Sequence, residues 1–356
     1  MHKRRFWQLL AASGSAVAFL ATSACVGSAP SSATPPAPVA IAPGAFPSFA
    51  SLVRDVLPSV VFIQVETAKV DTDGNAVRGV GSGVILRSDG WIITNRHVVE
   101  HYKNVEVTLH DRRSFSPSNV YVDDLTDLAV LKIDERGLPS LPFGDPDSVA
   151  VGDWVLAFGH ALGISPLEGG PTVTEGIVSS LGRSFVTEGI HYYDLVQISA
   201  AINPGNSGGP LVNTAGQIIG VNAAAVTTAQ NIGYAIGIGT SRHVFEDFIK
   251  HGEPHHPYLG VRTADLTVSQ AHRLNSPLLG ALVEFVEPGS PAEVAGLRVN
   301  DVIVKLGDED VTSAADLIKA LWRHDVADKL TIIYLHNGLE VQKALTLAER
   351  PETDSM

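Results

Sequence analysis

The sequence has a single cysteine, Cys25, and few positive charges among its 356 residues. One cysteine excludes an intramolecular disulfide framework and a cysteine-rich zinc site. Lysine and arginine together number 25 against 38 aspartates and glutamates, a formal net charge of −13, whereas nucleic-acid binders normally present a basic surface. Charged residues of either sign are also absent between Arg5 and Arg54. These absences argue against a nucleic-acid partner and set the N-terminal segment apart from the rest of the chain.

The N-terminal segment has the pattern of an export signal. A basic run that ends at Arg5 precedes an apolar to small stretch over residues 6–24, and Cys25 follows directly. We predict that residues 1–24 are an export signal or anchor and that Cys25, in a lipobox-like context, is a candidate lipidation site. A cleaved signal without a lipid and an uncleaved membrane anchor remain alternatives. All three place the rest of the chain in the cell envelope, on the periplasmic or extracytoplasmic side.

Residues 25–47 contain six prolines among alanines and serines, a composition typical of an extended tether. The remaining length suits about two domains. Over residues 48–250, short β-branched and aromatic runs alternate with turn residues, which favours a barrel or a sandwich over βαβ units. An amphipathic helix is predicted over 241–250 with Ser241 as its N-cap. The predicted strands are 60–65, 91–94, 105–109, 128–133, 154–158, 218–221 and 233–238.

A breaker-rich linker over residues 251–257 leads to a second module over 258–350. This module has predicted strands over 281–286, 302–306 and 330–335, and a helix over 313–322 that begins at the N-cap Ser313. The linker holds His251, His255 and His256. No carboxylate or cysteine spacing accompanies these histidines, so we predict no metal site.

Three elements of the body have the residue types of nucleophilic catalysis. Ser207 lies in the glycine-rich string 205–211, and a sharp glycine turn exposes a hydroxyl and aims backbone N–H groups at one point. A serine nucleophile needs a base, and His97 follows an apolar strand. The base needs a carboxylate that fixes its tautomer, and Asp127 directly precedes another apolar strand. The chain order His, Asp, Ser is that of the chymotrypsin type.

These motifs resemble those of the HtrA/Deg family of trypsin-like serine proteases. The resemblance rests on residues 81–85, 94–99, 127–132, 152–155, 174–179, 200–207 and 232–236. It implies a mainly β fold, in which a chymotrypsin/trypsin-like double β-barrel is followed by an α+β PDZ domain. It also implies that His97 is the general base, Asp127 its orienter and Ser207 the nucleophile.

The resemblance extends to the residues around the nucleophile and to a regulatory position. It implies an oxyanion hole in the loop formed by Gly205, Asn206 and Ser207, with backbone N–H groups as donors. In the family, a glycine-arginine pair in a loop relays activating signals to the active site, and the matching pair here is Gly182-Arg183. Arg183 is therefore a candidate relay, and a solvated loop charge is the alternative.

The second module resembles the PDZ domain of the same family. Tyr258, Leu259, Gly260 and Val261 match the loop that captures a peptide C-terminus, and residues 290–297 and 300–303 match the core of such modules. The short segment 68–78 favours a small, single-PDZ, membrane-tethered form, which in the family is a trimer. Phe46 and Phe49 are candidate trimer contacts.

The sequence departs from the family pattern near the substrate-facing half of the body. Ile198-Ser199 replaces a Thr-Asp pair, residues 159–163 replace a Gly-Asn-Pro-Phe-Gly string, and Gly237 stands where proline is common. These departures therefore bear on the expected substrate preference more than on the expected reaction.

We expect an ATP-independent serine endopeptidase that needs no cofactor and cleaves unfolded or signalling polypeptides through an acyl-enzyme. Its PDZ domain would bind peptide C-termini and regulate activity. The alternative is a PDZ-bearing chaperone or scaffold with a resting-inactive protease body.

Overall fold

The computed structural model describes residues 48–70, 76–100, 102–187, 190–223 and 231–351. The predicted export signal, the tether, Cys25 and Phe46 lie outside the described residues. Among the described helices, none has the length and apolar character needed to span a bilayer.

The described residues are mainly β. The helices are α1 Ala50–Val56, α2 Arg96–Val99, α3 Ile238–His251, α4 Val268–Leu274, α5 Pro291–Val294 and α6 Ala314–Leu321, with 3-10 turns at Leu57–Ser59, Pro146–Ser148 and Ala161–Gly163. The strands that precede α3 are β1 Val60–Val70, β2 Ala76–Arg87, β3 Trp91–Asn95, β4 Tyr102–Thr108, β5 Ser114–Phe115, β6 Asn119–Asp123, β7 Leu128–Lys132, β8 Trp154–Gly159, β9 Thr172–Thr187, β10 Ile190–Ile198, β11 Pro210–Asn213, β12 Ile218–Ala223 and β13 Gly233–Gly237. The strands after α3 are β14 Pro257–Tyr258, β15 Val261–Asp265, β16 Ala281–Val286, β17 Val302–Leu306, β18 Glu309–Asp310, β19 Lys329–His336, β20 Leu339–Thr346 and β21 Ala348–Glu349.

The strands form two antiparallel sheets in the first half and two in the second, one of which is the two-stranded pair β14-β21. The first sheet has seven strands in the order β5-β4-β1-β2-β3-β7-β6 and surrounds a core of its own, so we refer to it as the first barrel. The second sheet closes into a barrel in the order β10-β13-β12-β11-β8-β9. The C-terminal sheet runs β15-β16-β17-β19-β20, with β18 paired to β17. Each strand predicted from the sequence overlaps an observed strand, and Ser313 caps α6 as predicted by accepting a hydrogen bond from the Asp316 N–H (3.1 Å).

Successive side chains along the strands of the first sheet point to opposite faces, and each face packs into a different core. Val61 belongs to a core enclosed by the first sheet, whereas its neighbour Val60 belongs to a core shared with the second barrel and α3. Ile92 and Ile93 divide in the same way. Because both faces are buried, these strands are continuous apolar runs, and the two sheets are packed against each other over the shared core.

The predicted start of α3 is wrong. The helix begins at Ile238 with Gly237 as its N-cap residue, so Ser241 lies in the first turn, where its Oγ donates to the Gly237 carbonyl (3.0 Å). A carboxylate from β10 stands at this helix start: Asp194 Oδ2 accepts a hydrogen bond from Thr240 Oγ1 (3.4 Å). A negative charge near a helix N-terminus is favourable, and this one comes from a residue distant in sequence.

Asp194 is half-buried at this position. Burial raises the pKa of Asp194 to about 6, although the charges of Lys319 and Arg323 act in the opposite direction. Its φ of +50° lies in the left-handed region, which asparagine adopts as readily as aspartate.

We expect Asp194→Asn to stabilise the protein at neutral pH. Because the folded-state pKa exceeds the unfolded value, the Asp194 carboxylate destabilises the folded state progressively as pH rises from about 4 to above 6. The amide removes this penalty, so the gain should be near zero at pH 4 and reach roughly 2 kcal/mol at pH 7.5. Thermal unfolding at both pH values, with the exposed Asp145→Asn as control, measures it. A lower melting temperature at pH 7.5 would contradict the prediction.

Candidate active site

Strand register brings His97 and Asp127 together. β3 pairs with β7 so that Asn95 faces Leu128, which places the residue before β7 beside the helical turn α2 that follows β3. His97 Nδ1 lies 2.7 Å from Asp127 Oδ2, and the backbone N–H of His97 donates to Asp127 Oδ1 (3.0 Å). Because both carboxylate oxygens accept, Nδ1 carries the proton and Nε2 keeps a lone pair. A histidine in this tautomer can act as a general base.

Asp127 is completely buried, and both its backbone carbonyl and its carboxylate accept hydrogen bonds. Its φ of +57° puts it in the left-handed region, and its carbonyl accepts hydrogen bonds from the Arg96 N–H (2.9 Å) and Asn95 Nδ2 (3.1 Å). Tyr192 from β10 donates its hydroxyl to Asp127 Oδ2 (3.0 Å). The second barrel therefore helps to orient the carboxylate of the first. Sequence reasoning missed Tyr192, because no local pattern links it to Asp127.

Ser207 lies in a tight turn directly before β11 and is almost buried, with 5% of its surface exposed. Gly208 after it has a φ of +83°, and a Cβ at this position would lie 2.2 Å from both the Ser82 carbonyl and Thr94 Oγ1. No other residue fits there. Glycine is thus required beside the nucleophile for both conformation and space.

Both barrels hold this turn. Ser82 of β2 donates its N–H to the Ser207 carbonyl (2.9 Å), and the Gly208 N–H donates to the Asn222 carbonyl of β12 (2.9 Å). One backbone group of the expected oxyanion hole is committed elsewhere, because the Asn206 N–H donates to the Asn203 carbonyl (3.0 Å). Of the three residues expected to form the oxyanion hole, Gly205 and Ser207 therefore stay the predicted N–H donors.

Arg183 occupies a strand and not the expected loop. It is exposed on β9, opposite Leu195 of β10. The preceding Gly182 has a φ of +64°, and a Cβ there would lie 3.0 Å from the Cβ of Ala315 in α6. This hairpin therefore meets the helix of the C-terminal module beside Arg183.

The four predicted peptide-binding residues connect β14 to β15. Gly260 has a φ of +83°, and a Cβ there would lie 2.1 Å from Ser290 Cβ. The carbonyls of this loop are occupied: Leu259 O accepts from the Ala292 N–H (2.9 Å), and Gly260 O accepts from the Glu287 N–H (2.8 Å). Tyr258 ends β14 and Val261 begins β15, which is an edge strand of the described sheet.

The three linker histidines have partners of different kinds. His256 Nε2 lies 2.9 Å from the buried Asp123 Oδ1, His255 Nδ1 lies 3.1 Å from Glu349 Oε2, and the ring of His251 packs against that of His255. Within the described residues, no group of three or more histidines, cysteines or carboxylates is arranged to hold a metal ion.

Comparison with known proteins gives a consistent result. Residues 81–221 match the family described as a trypsin-like peptidase domain, and residues 257–347 match the PDZ domain family. The chain is 39% identical over 285 residues to the putative serine protease HhoB of Synechocystis sp., covering 77% of this chain and 66% of HhoB, just under two thirds of that protein. It is 33% identical over 313 residues to the serine endoprotease DegS of Haemophilus influenzae, covering 85% of this chain and 88% of DegS.

A solved structure of the HtrA-type protease AlgW with a tripeptide superposes with a TM-score of 0.69 at 33% identity, covering 87% of this chain and 99% of AlgW. The fold and the coupled His97 and Asp127 thus define a trypsin-like peptidase joined to one PDZ domain. The chain belongs to the HtrA/Deg family of serine proteases.

Proposed function

We propose that this protein is a serine endopeptidase in which Ser207 is the nucleophile, His97 the general base and Asp127 the residue that orients the base. The observation that carries the proposal is the 2.7 Å contact between His97 Nδ1 and the fully buried Asp127 Oδ2, which fixes the tautomer of His97. A buried carboxylate with this one histidine partner also stabilises the imidazolium that forms during the reaction.

The reaction follows from these roles. Ser207 Oγ attacks the carbonyl carbon of the scissile peptide while His97 Nε2 takes the hydroxyl proton. The carbonyl oxygen becomes an oxyanion, which the N–H groups of Gly205 and Ser207 stabilise. His97 then gives the proton to the leaving amine, and an acyl group remains on Ser207. Water, deprotonated by His97, then attacks the acyl carbonyl carbon, and the acid product leaves as His97 returns the proton to Ser207 Oγ. No cofactor takes part in this proposed reaction.

We propose that the PDZ domain binds peptide C-termini and regulates the protease. The edge position of β15 supports strand addition, and the loop of Tyr258, Leu259, Gly260 and Val261 would receive the terminal carboxylate. The position of Gly182 against Ala315 of α6 supports Arg183 as a relay, because this contact joins the β9–β10 hairpin to the PDZ domain.

We further propose an envelope location, with the N-terminus as tether, a trimeric assembly, and unfolded or signalling polypeptides as substrates. The name of a relative in Chlamydia trachomatis, a probable periplasmic serine endoprotease DegP-like protein, supports the location. Phe49 is half-buried against Trp154 within the chain (5.9 Å between ring centroids), so only the part of its ring left exposed is open to a trimer partner.

Covalent labelling of the full-length protein tests the enzymatic proposal. A fluorophosphonate probe should modify one residue, Ser207, located by peptide mass spectrometry, and the labelled protein should lose its cleavage of unfolded β-casein. Peptides with varied C-termini should change the cleavage rate if the PDZ domain regulates it. No labelling and no cleavage with any peptide, together with suppressed casein aggregation, would support a scaffold instead.

A further inference from the structure

Two peptide groups flank the Cα of Gly205, and each is held by hydrogen bonds from outside the nucleophile turn. The donors come from Ser82 of β2 and from Leu162 in the 3-10 turn that follows β8. Neither residue has a part in the chemistry described above. Their contacts determine the directions of the two peptide planes that meet at Gly205.

The first plane is the Pro204–Gly205 peptide. The Leu162 N–H donates to the Pro204 carbonyl (2.8 Å). In a trans peptide the C=O and the N–H point in opposite directions. The bond to Leu162 therefore fixes the direction of the Gly205 N–H, one of the two predicted oxyanion donors.

The second plane is the Gly205–Asn206 peptide, which is held at both ends. Ser82 Oγ donates to the Gly205 carbonyl (2.7 Å), and the Asn206 N–H donates to the Asn203 carbonyl (3.0 Å). Gly205 itself has a φ of +96°, and a Cβ there would lie 2.2 Å from the His160 carbonyl. The glycine can therefore take the conformation that the two planes require, and a larger residue cannot.

The single proton of the Ser82 hydroxyl can be assigned from its neighbours. The Gly205 carbonyl can only accept, and the His160 backbone N–H, 2.8 Å away, can only donate. The proton therefore goes to Gly205. His160 Nδ1 lies 3.3 Å from Ser82 Oγ and faces an oxygen whose proton is already used, so Nδ1 carries hydrogen and Nε2 does not.

His160 is suited to remain in this one state. Its ring is 1% exposed and packs edge-on against Phe62 (5.2 Å between centroids), and burial, with a smaller effect of the charge of His110, lowers the pKa of His160 to about 4. The ring is therefore neutral at neutral pH.

The backbone of Leu162 is strained, which is consistent with a positioning role. Its φ is +59°, a region that costs a leucine roughly 1–2 kcal/mol, while its side chain is 78% exposed and contributes little packing. The conformation is held by backbone bonds, since Leu162 donates to Pro204 and the Gly163 N–H donates to the His160 carbonyl (3.0 Å).

We propose that Ser82, His160 and Leu162 form a clamp on Gly205 that aims its oxyanion-binding N–H group, with Ser82 as its central positioning residue. This inference rests on the proposed function. Ser82 is itself fixed by both barrels, since its N–H donates to Ser207 and its carbonyl accepts from Thr94 Oγ1 (2.6 Å). The clamp thus couples the first barrel to the nucleophile turn of the second.

Kinetics of the full-length Ser82→Ala variant test the clamp. Removing an oxyanion donor costs about 10²–10³-fold in kcat, and a misaimed donor costs less, so we expect kcat on a peptide substrate to fall about 10–100-fold with KM within about threefold. The affinity for a peptide boronate, whose adduct carries the oxyanion, should fall by the same factor. Ser241→Ala, which removes another fully buried hydroxyl bonded to a carbonyl, is the control and should retain kcat. A Ser82→Ala kcat within twofold of the parent, or a change in KM alone, would overturn the proposal.

Nitrogen-15 NMR of the histidine-labelled protein tests the same geometry without relying on activity. The His160 resonances, assigned by their loss in His160→Phe, should show a protonated Nδ1 and a bare Nε2 at pH 7. The opposite tautomer would require Nδ1 to accept the Ser82 proton, which breaks the bond to Gly205 and overturns the clamp. If the parent protein has no activity, the proposed function fails, and this spectrum still decides the clamp.

Discussion

Replacing Ser207 by alanine is expected to lower kcat/KM on a peptide substrate by about 10⁶-fold, because the acyl-enzyme can no longer form. The turn itself should survive. Its contacts run through backbone groups, from the Ser82 N–H to the Ser207 carbonyl and from the Gly208 N–H to Asn222, and alanine keeps all of these. Initial rates with a fluorogenic peptide, and the melting temperature of the variant, measure both expectations.

Binding and labelling measurements on Ser207→Ala separate a loss of catalysis from a loss of substrate binding. The substitution removes no group that binds peptide. Unfolded β-casein should therefore still compete with a labelled PDZ peptide, or with a product peptide that carries no boronate, for binding to the variant. The fluorophosphonate probe should no longer label the protein. Activity above about 1% of the parent that resists the probe would show that another group is the nucleophile.

The strands and the proximity of His97 to Asp127 could be predicted from sequence because their signals are local. Runs such as Val60–Val65 are β-branched and apolar, and they become strands buried on both faces. His97 and Asp127 each adjoin such a run, so pairing of the two strands brings them together. The register could not be predicted, but any antiparallel pairing of these two strands near that end gives a similar proximity.

The features that failed prediction depend on contacts between distant segments. Because a serine is a good local cap, the sequence predicts that α3 starts at Ser241, whereas the actual start at Ile238 has Gly237 as its cap and Asp194 beside it. Tyr192 and Ser82 escape prediction from sequence for the same reason. Each is an ordinary strand residue in sequence, and each reaches the site only because the two barrels are packed together.

Replacing Asp127 by asparagine should lower kcat by about 10⁴-fold with little change in KM. Asp127 Oδ1 accepts from the His97 N–H, and Oδ2 accepts from His97 Nδ1 and from the Tyr192 hydroxyl. Asparagine has one acceptor oxygen. If that oxygen faces the backbone N–H, the amide NH₂ faces Nδ1 and donates to it, so the proton moves to Nε2 and the base is lost. If the amide is reversed, its NH₂ opposes the His97 N–H, and the segment carrying His97 is displaced.

Three comparisons make this prediction specific to the orienting role of Asp127. Asp123→Asn removes a charge from another buried aspartate four residues earlier, whose partners are the Leu125 N–H, the Thr126 hydroxyl and His256. That variant should lose stability but keep kcat. Tyr192→Phe removes only one donor to Oδ2 and should lower kcat less than tenfold, because His97 still donates through Nδ1. In the double variant Ser207→Ala with Asp127→Asn, the rate should be no lower than with Ser207→Ala alone, since the base has no nucleophile to activate. If the rate loss in the double variant equals the product of the losses in the two single variants, Asp127 contributes to catalysis independently of Ser207.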